Sequence, residues 1–261
     1  MSATLANAPV YYALAQVRFN PVALMEKFSS EIQDRLRRSG FPIFEMEKSQ
    51  SFEFTDLNLS GEAKPKITET PNWFFTSADR LSGYVLGTDF LTFQATDYCD
   101  HEAFFASLCA GLDVVNEVAS IGDISRIGIR YLDAIVPGEG ESLNQYLHPQ
   151  VQGVDFGLPW IGGAWEAGFK TEQGVMVSKI YKTPQALLGF PVDLQPRSVV
   201  LKKKFVFSEP KEHAVIDIDH FIQEPTPMVS SVVYEKLVAL RGPLRQCFRT
   251  IATEYAFSRW S

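Results

Sequence analysis

The chain has 261 residues, 46% hydrophobic and 21% charged, which is enough apolar material for a sizeable core and too much for disorder. Its net charge of −7 argues against a general nucleic-acid binder, because neutralising phosphates needs a basic surface. Cys99, Cys109 and Cys247 are widely spaced with no Cys-x-x-Cys pair, which argues against a disulfide framework or a zinc site and for a reducing compartment.

The opening residues, MSATLANAPVYYAL, lack a basic start and carry Pro9 where a secretory leader needs its apolar centre. No uncharged apolar run approaches the roughly 18–20 residues of a membrane span. The expectation is a soluble cytoplasmic protein without membrane attachment.

Residues 9–19 form the first expected strand, rich in aromatic and β-branched side chains. Asn20-Pro21 then reads as the N-cap and first position of a helix whose Leu24, Phe28, Ile32 and Leu36 recur every four residues. Gly40 follows its basic last turn. A second strand is expected over 43–56 and a polar loop over 57–70, and 72–97 reads as a meander. Asp100 caps a second helix with the apolar stripe Phe104, Leu108, Leu112 and Val115, which ends at Gly122.

The strand 124–136 has two unlike faces, because successive strand side chains alternate. Ile127, Ile129 and Tyr131 form one face. Arg126, Gly128 and Arg130 form the other, where two guanidinium arms around a residue without a side chain suggest a seat for a carboxylate or phosphate.

From 138 to 172 glycines interleave with Phe156, Trp160, Trp165 and Phe169, as in a long functional connection. Trp160 and Trp165 flank Gly162-Gly163 and are candidate partner anchors. Strands resume at 174–182, 198–208 and 213–222. A helical stretch over 230–258, interrupted at Gly242-Pro243, closes the chain.

The pattern predicts an α+β fold of mostly antiparallel sheet in two β-rich halves, each followed by amphipathic helix. The halves are 1–137 and 173–261, joined by 138–172, and are expected to form one integrated domain. Asp217 and Asp219 share a strand face beside His220 and invite a metal reading. Cross-strand pairing with Lys202 and Lys204, through a hairpin closed at 209–212, explains the same residues without a metal. Lys202-Lys203-Lys204 then reads as a solvated edge rather than a nucleic-acid patch. No nucleophile elbow, His-Glu-x-x-His or phosphate-binding glycine loop occurs, and no cofactor is implied.

Asn7-Ala8-Pro9 leading into Val17-Arg18-Phe19-Asn20-Pro21, the Asp97-Tyr98 junction, and Arg126-Ile127-Gly128-Ile129-Arg130-Tyr131 together carry a resemblance. The order of these features resembles a sporadically distributed family of bacterial proteins, each about as long as this chain, with no settled activity. That scattered distribution is compatible with mobile or defence-associated genes. Where such families often carry Asn after the Arg-Tyr-hydrophobic run, this chain has Asp133.

The leading functional expectation is a non-catalytic binding or accessory protein that works through a protein partner or larger assembly, using Arg126, Arg130, Trp160 and Trp165. The alternative is an anion, nucleotide or other phosphate-ligand binder, with the arginines on the anion and Asp217 and Asp219 on a metal as in a metal-dependent enzyme.

Overall fold

A computed structural model describes residues 7–54, 65–154, 156–158, 160–194 and 196–261. The strands are β1 (Val10–Phe19), β2 (Ile43–Phe54), β3 (Pro65–Thr76), β4 (Ser82–Leu86), β5 (Phe90–Ala95), β6 (Ile124–Ile135), β7 (Gly163–Lys170), β8 (Val175–Ala186) and β9 (Lys211–Ile222). They pair antiparallel in one nine-stranded sheet of order β2-β3-β4-β5-β1-β6-β9-β8-β7. The helices are α1 (Met25–Arg38), α2 (His101–Ala119), α3 (Leu143–Tyr146), α4 (Ser230–Ile251) and α5 (Glu254–Trp260). The fold is α+β, as the alternation of apolar and polar residues predicts.

The first and second halves follow similar chain paths. β1 leads through α1 into a meander whose last strand, β5, returns beside β1, and α2 follows. β6 leads through α3 into the meander β7-β8-β9, whose last strand returns beside β6, and α4 follows. β1 and β6 pair at the centre, with Gln16 opposite Gly128. Strands of both halves therefore share one continuous sheet.

One sheet face packs against α1, α2 and α4. Its core includes Trp73, Phe75, Tyr84, Phe105, Leu108, Leu112, Ile129, Ile216, Ile218 and Leu237, all buried. Gly111 of α2 is needed for this packing: a Cβ there would lie 2.2 Å from the Tyr84 ring. With the helix that close, the Tyr84 hydroxyl donates to the Ser107 carbonyl at 2.6 Å.

The other face is covered over part of its area by residues 187–194 and 196–206, which belong to the connection from β8 to β9. Leu188, Phe190, Leu194, Val199 and Leu201 pack there on buried Tyr11, Tyr12, Leu132, Ala134, Phe205 and Val215. A register shift in β1 between Val10 and Tyr12 turns both tyrosines toward this second core.

Several sequence expectations are corrected. Helix α1 starts at Met25 rather than at Pro21, with Leu24 at its N-cap and half exposed. Phe19 N–H and Val22 N–H donate to the Asp89 and Thr88 carbonyls, which hold 19–22 against the β4–β5 turn and delay the helix. α2 does start at the Asp100 cap, whose carboxylate accepts from Ala103 N–H, but it closes on left-handed Ser120 rather than at Gly122. Residues 65–70 belong to β3 rather than to a loop, while the earlier part of the expected loop, up to 64, lies outside the described residues.

The expected strand at 198–208 is the end of the covering segment and contains only a short 3-10 turn at Lys203–Phe205. β9 pairs with β6 and β8 instead, so the expected Lys204–Asp217 and Lys202–Asp219 pairs do not form. Lys202 reaches Asp97 at 2.6 Å, and Lys204 donates to the Ala8 carbonyl. Finally, α4 runs unbroken through Gly242-Pro243, with Leu240 and Leu244 buried on either side. The interruption falls at Ala252, where Ala252 bridges Leu147 and Thr253 caps α5.

Candidate functional site: a charged strand face and an apolar loop

β6 has the two faces its sequence predicts. Ile127, Ile129 and Tyr131 are buried against the helices. Arg126, Gly128 and Arg130 point to the opposite face, opposite Phe221 and Asp219 of β9 in register.

The seat between the arginines is filled from within the chain. Arg130 Nε and Nη2 donate to the two oxygens of Asp217, both at 2.7 Å. From the covering segment, Asp193 accepts from Nη1 at 2.7 Å and from Nη2 at 3.2 Å. Burial alone would lower the guanidinium pKa; the hydrogen bonds that it donates to Asp217 and Asp193 outweigh this and hold Arg130 charged. The Arg130 side chain is 11% exposed and that of Asp217 2%, so each is the other's main compensation for leaving water.

Arg126 lies over Gly128 itself. A Cβ on Gly128 would come within 3.0 Å of Arg126 Nη1 and 3.1 Å of Phe221 Cβ. The guanidinium sits 4.4 Å from the Phe221 ring centroid and reaches Asp219 at 3.3 Å. Gly128 thus serves as the floor for a neighbouring arginine rather than for a ligand.

The metal reading meets a geometric obstacle. Asp217 and Asp219 share the arginine face, but His220 points the other way and is fully buried. Its Nδ1 lies 2.7 Å from the Leu240 carbonyl, which can only accept, so Nδ1 carries the proton. Nε2 is therefore the acceptor for the Thr171 hydroxyl at 2.8 Å. Burial lowers the pKa of this ring, in keeping with a neutral tie between α4 and the β7–β8 turn. Among the described residues no cluster of three or more His, Cys, Asp or Glu could hold a metal.

The structure separates the two tryptophans. Trp165 lies on β7 opposite Ile180 and packs partly into the helix-side core. Trp160 precedes the strand, is 41% exposed, and has Lys182 Nζ 5.2 Å from its ring centroid. Trp165 and the arginines lie on opposite sheet faces. Around Trp160 the segment is unusually apolar at its surface: Val154 is 76% exposed, Phe156 80%, Leu158 75% and Ile161 90%.

Sequence reasoning missed Asp193, whose role depends on the covering segment folding back over the sheet, and it missed Leu158 and Ile161 as surface residues. The apolar density of 154–161 was the available signal for these two. No protein-family model and no curated protein matches the chain. Among the described residues, no helix is long and apolar enough to cross a membrane.

Proposed function

We propose that this is a non-catalytic binding protein that acts through a protein partner, with the 154–161 segment as its contact and Trp160 as the central side chain. One observation carries the reading. Phe156, Leu158 and Ile161 stand 75–90% exposed beside half-exposed Trp160, in a chain that finds room in its core for Trp73 and most of Trp165. Each square ångström of apolar surface left in water forgoes about 25 cal/mol. An exposed apolar run of this kind is a usual mark of a protein–protein contact, and aromatic side chains are its usual hot spots.

The phosphate-ligand alternative has less support, because an incoming anion would have to displace Asp193 from Arg130 and compete with buried Asp217. Membership of a bacterial defence system stays an expectation from the resemblance, with no structural observation added to it.

The test is affinity capture of the tagged full-length protein beside Trp160→Ala and Phe156→Ser variants. A stoichiometric partner retained by the parent chain and lost from both variants, with melting temperatures unchanged, is the expected result. A partner that both variants still hold would refute this contact. A phosphate-dependent rise in melting temperature that Arg126→Ala removes would replace the reading with the anion-binding one.

A further inference from the structure

We propose that two copies of this chain associate through β7, each extending the other's sheet by antiparallel pairing about a two-fold axis at Gly168. β7 is the last strand of the sheet, and beyond β8 no backbone hydrogen bond reaches it among the described residues. Glu166, Gly168, Phe169 and Lys170 are all exposed.

The direction of the free backbone groups follows from the turn. Thr171 N–H donates to the Gly174 carbonyl at 2.9 Å, which makes 171 and 174 a hydrogen-bonded pair. Antiparallel pairs alternate between bonded and non-bonded, so Phe169–Met176, Ala167–Ser178 and Trp165–Ile180 are the bonded pairs with β8. The N–H and C=O groups of Ala164, Glu166, Gly168 and Lys170 therefore point away from β8, toward open solvent. An unpaired row of this kind is a template for another strand.

Charge selects the register. With the axis at Gly168, Gly168 bonds its own counterpart and Glu166 stands opposite Lys170 of the second copy, twice by symmetry. All of these are outward-pointing residues, so hydrogen-bond phase and charge agree. An axis at 166 or 170 would place Glu on Glu or Lys on Lys, and one at 169 would set Glu166 against Glu172. An axis at Ala167 would leave both charges opposite uncharged residues. Lys170 has no ion pair among the described residues, whereas Glu166 is 58% exposed and reaches Lys179 at 3.0 Å with a lone-pair side still open. On the helix side of the sheet, the same register puts Phe169, 41% exposed, opposite small Ala167 of the second copy.

This interface uses the backbone edge of β7 and does not rest on the 154–161 segment as the surface for a different protein. Sedimentation equilibrium of the full chain over a concentration series tests it. The expected mass rises from 29.3 kDa toward twice that value. Gly168→Pro removes an outward N–H, and a Cβ there meets nothing within 4 Å, so this variant should keep its melting temperature and stay monomeric. Lys170→Glu should raise the dimer dissociation constant about tenfold by turning two attractive pairs into repulsive ones. Adding Glu166→Lys to it should recover most of the loss, because the opposed charges are exchanged. A parent chain at 29.3 kDa throughout the series overturns the proposal. So does a dimer whose dissociation constant is the same in Lys170→Glu, whatever Gly168→Pro does to folding.

Discussion

Asp133 is the residue whose replacement should change stability most informatively. It follows Leu132 on β6 and turns to the helix side, opposite Ile216, only 7% exposed. No hydrogen bond or ion pair reaches its carboxyl among the described residues, and burial pushes its pKa from 3.8 up to about 8. A raised carboxyl pKa means that the folded chain holds a proton that the unfolded chain releases. The associated stability is complete below about pH 4 and is lost as pH rises toward 8, at about 1.4 kcal/mol per pH unit. At pH 7 that amounts to about 4 kcal/mol relative to a side chain that does not titrate. Burial depresses the pKa of His101, His213 and His220, and those groups cost stability only as pH falls below their ordinary 6.5. Burial also raises the pKa of Asp217 and Asp219, against the pull of Arg130 and Arg126, so Asp133 is isolated by comparing the parent chain with an Asp133 variant across the window from pH 6.5 to 8. Across it the parent chain should lose roughly 2 kcal/mol, or about 4–8 °C of melting temperature for a chain of this size. Asp133→Asn keeps the shape and removes the proton, so its stability should fall less than the parent's by that amount over the same window. Urea titrations at four pH values supply the comparison. Equal slopes for the two proteins would refute the assignment.

Arg130→Ala should destabilise the fold by about 3–5 kcal/mol, read by urea denaturation, because it leaves Asp217 buried without its bidentate partner. The double change Arg130→Met with Asp217→Leu should recover much of that loss, since an apolar pair of similar volume needs no compensation. Gly111→Ala should cost about 1–3 kcal/mol by driving a methyl into the Tyr84 ring, with the accompanying change read in near-ultraviolet circular dichroism. An unchanged melting temperature in that variant would mean that α2 sits farther from β4 than described.

Much of the sheet was legible because burial on one face imposes a period of two. The split of β6 into Ile127, Ile129 and Tyr131 against Arg126 and Arg130 is the clearest instance. Helix α2 was equally readable, from its Asp100 cap and its stripe at helical spacing. The segment at 198–208 misled for a physical reason. Val199, Leu201 and Phe205 are spaced for a surface that lies on a sheet face, and that spacing does not distinguish lying on a sheet from bonding into one. The start of α1 was misplaced because 19–22 bond to residues about seventy positions away, which no local capping pattern records. Arg126 and Arg130 looked available for the same kind of reason. Their partners Asp217, Asp219 and Asp193 come from a distant strand and from the segment before it.

β8 and β9 are neighbours in the sheet and a short turn would join them, yet the chain spends residues 187–210 on the journey. On the way it fastens to the first half: Tyr11 donates to the Gly189 carbonyl, Gln94 to the Arg197 carbonyl, and Thr96 to the Val200 carbonyl. The platform for this excursion exists only once β1, β5 and β6 stand side by side. Its docking closes loops of more than a hundred residues and should therefore come late in folding. The same stitching makes the halves interdependent. A proteolytic fragment ending before β6 would leave Tyr11 and Tyr12 without their cover, and one beginning at β6 would carry a strap with nothing to cross.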